Sequence, residues 1–206
     1  MSCYFSKNKS FDFVSNIMAN LAALSEGRKF MVEHGYIEAI VVQIVNKYLN
    51  SHRRKYLMQC IRNLLFEYEI FEDKFLETNV PRGICKVIID EQGIIADKLP
   101  DDWKLFGAKQ VKAEEEIDMQ NTATLIDALV LLANSEKLLK RMLDINVDAV
   151  LERIVLPQTP EWEDTRDRIL VVSHQIVAIK AQVEKEANET KVEEINDQEP
   201  PPLENQ

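Results

Sequence analysis

The chain is short of the residues from which enzyme sites, disulfide scaffolds and membrane spans are built. Its 206 residues include five glycines, scattered so that none forms a phosphate-cradling loop. Three cysteines, Cys3, Cys60 and Cys85, are odd in number and show no paired spacing. That speaks against a disulfide framework and for buried, reduced thiols in a cytosolic or nuclear protein. The three histidines, His34, His52 and His174, belong to no zinc-site spacing pattern. Ser173 and His174 are sequence neighbours, which sets them about 100° apart on a helix rather than face to face as nucleophile and base. Glu114-Glu-Glu reads as a solvated charge run on a linker. No run of 18 uncharged apolar residues exists, so no membrane-spanning helix is expected. MSCYFSKNKS lacks the apolar core of a secretory signal. Cofactor, metal, catalytic and membrane roles therefore find no support in the sequence.

What is present is apolar periodicity. Apolar residues make up 46% of the chain, enough to bury a core. One helical unit then occurs three times: apolar helix, short charged helix, Asn or Gly pivot, second apolar helix. The copies are NLAALSEGRKFMVEHGYIEAIVVQIV from Asn20, NLLFEYEIFEDKFLETNVPRGICKVI from Asn63, and ALVLLANSEKLLKRMLDINVDAVLERI from Ala128. Their pivots are Gly35, Asn79 and Asn146. The first two pivots lie 44 residues apart, within the armadillo or HEAT range of about 40 to 47. The next interval is 67, which implies an insertion of about 23 residues beyond that period. Such units cannot bury their apolar faces alone and must stack. The expected fold is an all-α, armadillo/HEAT-like α-solenoid of about three units.

The helices follow from i, i+3, i+4, i+7 spacing. A first helix is expected over 11–24 from Val14, Ile17, Met18, Leu21 and Leu24, with Ser25-Glu-Gly as the turn that ends it. A short helix over 28–33 stops at Gly35, and a long one covers 37–49 with Ile37, Ile40, Val41, Ile44, Val45 and Tyr48 on a broad face. The β-branched run at Ile40-Val-Val reads as helix rather than strand because the spacing persists. Further helices are expected over 53–68, 71–77, from Pro81 to Gly93, and over 118–133, 136–144, 147–155 and 163–183. The organisation is an arm over 1–10, a solenoid over 11–180 with an irregular insertion at 94–117, and a disordered acidic tail over 181–206.

The net charge of −10 sits on two of these segments. The stretch 181–206 carries −6 and the stretch 90–118 carries −5, leaving the repeats near neutral. Neither surface suits a phosphate backbone, so nucleic acid is not an expected ligand.

Candidate binding residues come from the outward stripe of the helix that closes each unit. Over 53–68 the apolar set faces inward and leaves Lys55, Gln59, Arg62 and Asn63 on another face. Over 11–24 that stripe holds Asn16, Asn20 and Ala23. An Asn amide both donates and accepts, so Asn20 and Asn63 can grip the backbone of an extended peptide, or can bond a neighbouring repeat. The third unit has Ala128 at that place, which interrupts any ladder of asparagines. Asn20, Gln59, Arg62 and Asn63 are the candidate partner-binding residues. Trp103 is either an exposed hot spot or an anchor for the insertion, and its neighbours Leu99, Leu105 and Phe106 favour the anchor.

The motif order FVSNIMANLAALSEGRKFMVEHG, CIRNLLFE, LPDDW, then TLIDALVLLANSEKLLKRMLDINVDAVLERI and a closing helix with IVAI, resembles the second half of the eukaryotic Hgh-one family. These armadillo-type proteins are also called brain-protein-sixteen homologues, and the resemblance spans residues 11–181. It implies a cytoplasmic, non-enzymatic adaptor that works with the chaperonin TRiC/CCT to fold translation elongation factor two. An armadillo-type scaffold or transport adaptor for peptide segments is the alternative. The family has further repeats ahead of the stretch matching Phe11, so a fragment, a short product or an open docking end is expected here. Phe11, Phe13 and Met18 make a poor polar cap, and self-association through the first helix is the corresponding expectation.

Overall fold

A computed structural model of the protein describes residues 12–108 and 118–196. The arm over 1–10, Cys3, Glu114-Glu-Glu and residues 197–206 lie outside the described residues. Among the described residues eleven α-helices follow in order: α1 Val14–Ala22, α2 Ser25–Glu33, α3 Tyr36–Ile44, α4 Ser51–Leu64, α5 Tyr68–Glu77, α6 Val80–Gln92, α7 Asp101–Lys104, α8 Met119–Ala133, α9 Glu136–Asp144, α10 Val147–Leu151 and α11 Glu163–Asn196. Among the described residues there is no strand, only an isolated bridge between Ile95 and Ala108.

The three pivots adopt the conformation their residue types suggest. Gly35, Asn79 and Asn146 have φ of 73°, 51° and 53°, in the left-handed region that Gly and Asn tolerate best. Each turns one helix back into the next: α2 into α3, α5 into α6, and α9 into α10. Pro81 sits in the first turn of α6, where its missing N–H is harmless. Asn50, Asp118 and Ser135 cap α4, α8 and α9 with side-chain oxygens.

These pieces form two rows. In one, α1 packs on α4, α4 on α8 and α8 on α11; in the other, α3 packs on α6 and α6 on α10. The rows meet through α3 on α4, α6 on α8 and α10 on α11, and one continuous apolar core lies between them. Ile40, Leu57, Ile61, Ile88, Leu125, Leu129 and Val172 are fully buried there. The arrangement is all-helical and compatible with an α-solenoid. Neighbouring units are pinned by recurring polar contacts. Ser25 Oγ donates to Glu67 at 2.8 Å, and Ser135 Oγ donates to Glu72 further along the stack.

Several boundaries differ from the sequence expectation, each for a local reason. Helix α1 ends at Ala22, and Ser25-Glu-Gly begins α2 instead of ending α1. Gly27 is there because a Cβ would lie 2.0 Å from the Leu21 carbonyl oxygen. Ile17 and Leu24 are 56% and 61% exposed, since among the described residues α1 packs mainly on α4. Helix α3 stops at Ile44, which leaves Tyr48 exposed in the following turn. Helix α10 stops at Leu151 rather than continuing to 155.

Of the tail expected to be disordered over 181–206, residues 181–196 are helical instead, since α11 runs on to Asn196. Low apolar content does keep Glu184–Glu189 exposed. It does not prevent helix, because Glu, Lys, Ala and Gln are strong helix formers. Gln182 bonds Glu186 at 2.9 Å and Lys185 meets Glu189 at 3.7 Å, both at i, i+4. The described part of the 94–117 insertion is an ordered turn. Ala108 N–H donates to Ile94 at 2.7 Å, and the buried Trp103 donates from Nε1 to the Ile145 carbonyl at 2.7 Å. Trp103 is thus the anchor rather than an exposed hot spot.

Candidate functional site

The row α1–α4–α8–α11 presents the stripe from which the candidate residues were drawn. Helix α4 turns Leu57, Cys60, Ile61 and Leu64 into the core, which obliges Lys55, Gln59, Arg62 and Asn63 to the other side. Gln59, Arg62 and Asn63 come together with Thr124 and Asp127 of α8, around a polar recess of about 210 Å³. Asn20 does not line it. It is exposed on α1 and donates to Asn16 Oδ1 at 2.9 Å.

Several of these polar groups have definite partners. Asn63 Nδ2 donates to the Ala19 carbonyl at 3.2 Å, so it ties α4 to α1, the second of the two roles open to its amide. Its Oδ1 accepts from Arg62 Nη1 at 3.3 Å. The Arg62 guanidinium lies over the Phe66 ring, 5.0 Å from its centroid, and Nη2 stands 3.6 Å from Asp127. The other oxygen of Asp127 is taken by Arg168 of α11, which also meets Asp164 at 2.5 Å. Asp127 therefore joins α4, α8 and α11 from a single position. Gln59 and Thr124 complete the lining.

Thr124, Asp127 and Arg168 were missed by the sequence reading. The signal was available for the first two: with Leu125, Ile126 and Leu129 inward, Gln120, Thr124 and Asp127 share the remaining stripe of α8. Choosing Ala128 as the equivalent of Asn63 hid its neighbour Asp127. Arg168 lies 41 residues from Asp127 in sequence, and nothing local marks it.

Burial pushes the Cys60 thiol up to about 12 and raises Cys85 further, so neither presents a thiolate at neutral pH. No group of three His, Cys, Asp or Glu among the described residues is placed to hold a metal ion. No described helix is long and apolar enough to cross a membrane.

Residues 2–141 match the family model described as Domain of unknown function (DUF383). The chain belongs to this family. The matched stretch contains α1 through α8 and most of α9, and so includes every residue lining the recess, while Arg168 lies beyond it. A comparison with curated proteins finds no match.

Proposed function

We propose that this member of the DUF383 family is a non-enzymatic protein-binding adaptor, built as an armadillo-type solenoid, that holds a polypeptide along the row α1–α4–α8–α11. The observation that carries the reading is the convergence of Gln59, Arg62 and Asn63 with Thr124 and Asp127 on one open polar face. The three-helix order of each unit, with a left-handed pivot between its second and third helices, supports the armadillo assignment. Stacked units offer extended contact area, which suits recognition of a chain segment rather than a small molecule.

Within this reading the client is translation elongation factor two, handled in the cytoplasm together with the chaperonin TRiC/CCT, and it rests on the resemblance of residues 11–181 to the Hgh-one family. The alternative is an armadillo-type scaffold or transport adaptor. One that reads basic peptides needs an acidic lining, whereas the acid here, Asp127, is matched by both Arg62 and Arg168.

The test is recovery of elongation factor two from cells on the immobilised chain, compared with Lys55→Glu/Gln59→Glu. Neither side chain holds the fold together: Lys55 is exposed and Gln59 half-buried. Substituting Asn63 instead would confound binding with the lost Ala19 bond. The expected outcome is strong recovery by the parent and loss in the variant at unchanged melting temperature. Equal recovery removes the face from the reading; no recovery by the parent removes the client.

A further inference from the structure

The recess is too small for an ordinary ligand pocket, which runs about 300 to 1,000 Å³, but it admits one side chain. Its lining is polar throughout, and the positive charge beside it is under-used. Arg62 makes no strong bond. Its nearest acceptors are at 3.3 and 3.6 Å, and its buried Nε faces no acceptor among the described residues. A guanidinium fork fits a carboxylate through two parallel N–H bonds of about 2.7–2.9 Å. Asp127 does not fill that role, because it offers Arg62 one oxygen at 3.6 Å and gives the other to Arg168.

Arg168 therefore has a consequence for Arg62. By satisfying Asp127 from the α11 side, it offsets the one carboxylate that would both occupy Arg62 and repel an incoming acid. Arg62 and Arg168 balance Asp127 and Asp164 in number, but both carboxylates lie closest to Arg168, which leaves Arg62 as the cation without a close counter-ion. Lys55, exposed on α4 outside the recess lining, adds a further positive charge on the same helix.

From this charge pattern we infer that the recess reads an acidic side chain, Glu or Asp, of an extended client segment. The carboxylate accepts from the Arg62 fork, with Gln59 and Thr124 beside it, and Arg168 acts as a positioning residue that keeps Asp127 engaged. The inference rests on the protein-binding reading of the face and adds the chemistry of what is bound.

The experiment titrates the full chain against three labelled peptides of equal length, in which serine alternates with glutamate, glutamine or lysine, and follows fluorescence anisotropy. The glutamate peptide is expected to bind at least about tenfold tighter than the glutamine peptide, with the advantage shrinking as salt shortens the Debye length from about 10 Å at 0.1 M. Arg62→Gln should erase the preference, and Arg62→Lys, which keeps the charge but loses the fork, should retain part of it. Asp127→Asn should strengthen glutamate binding a few-fold, whereas Arg168→Gln should weaken it although Arg168 makes no contact with the peptide. Circular dichroism on each variant separates these effects from unfolding, and the comparison of peptides on the unmodified chain needs no variant. Equal binding of glutamate and glutamine peptides overturns the inference while leaving the adaptor reading intact. Preference for lysine overturns it in favour of Asp127 as the reader. No binding of any peptide overturns both.

Discussion

Replacing Trp103 by Phe isolates one bond that joins the insertion to the third unit. The Trp103 side chain is 0% exposed, and Nε1 donates to the Ile145 carbonyl in the turn between α9 and α10. Its ring meets Phe106 edge-on at 6.0 Å and carries Arg82 at 5.1 Å. Phenylalanine keeps most of the apolar contact and loses the donor. Leaving the Ile145 carbonyl buried without a partner costs about 1–3 kcal/mol, and the smaller ring adds about 1 kcal/mol for the space it vacates. For a chain of this size about 1 kcal/mol shifts the melting temperature by roughly 2–4 °C, so a fall of roughly 5–15 °C is expected. Trp103→Ala should lose more, about 4–6 kcal/mol, because the cavity is larger. Far-ultraviolet circular dichroism is the appropriate probe, since the substitution also removes one of two tryptophan fluorophores. Amide exchange should accelerate over 94–108, where the Ala96–Ala108 and Ala108–Ile94 bonds close the turn on itself. A Trp103→Phe variant within about 0.5 kcal/mol of the parent, the range of ordinary surface changes, would refute the anchoring argument.

Three further expectations follow from contacts elsewhere. Gly27→Ala would ordinarily stabilise a helix by about 1 kcal/mol, but the new Cβ meets the Leu21 carbonyl at 2.0 Å, so urea denaturation should show destabilisation by about 2–4 kcal/mol; a raised midpoint contradicts that geometry. Hydrogen bonds from Ser25, and then from Arg28, hold the Glu67 carboxyl below its usual range. Its contribution to stability is therefore present above the unfolded carboxyl pKa of about 4.3 and fades as pH falls through the lower folded value. Glu67→Gln should accordingly melt lower at neutral pH, with the gap closing in acid, and a gap independent of pH would disprove the link. Truncation after Val183 should reduce helical ellipticity while moving the melting temperature by no more than about 2 °C, because Glu184–Glu189 are exposed and make only surface pairs; unchanged ellipticity would show that this stretch is not helical.

Local chemistry was enough to place most of the helices. The pivots at Gly35, Asn79 and Asn146 were legible because a left-handed residue limits the choice to Gly or Asn, and the core face of α4 because its period is fixed. The ends of α1 and α3 were not, since Leu24 and Tyr48 continue an apolar pattern that no neighbour covers among the described residues. The run 181–196 reads differently from its composition because composition reports whether a segment can be buried, not whether it can be helical.

The candidate site divides in the same way. Gln59, Arg62 and Asn63 follow from the stripe of one helix, so the sequence alone put them on a shared surface. Which of them remain available was decided by packing. Ala19 claims Asn63, Asn16 claims Asn20, and Arg168 satisfies Asp127 from the far side of the recess. Periodicity is a property of a single helix and survives in the letters. The distance from Asp127 to Arg62 and to Arg168 depends on how three helices stack, and only the tertiary structure brings those charges within reach of one another.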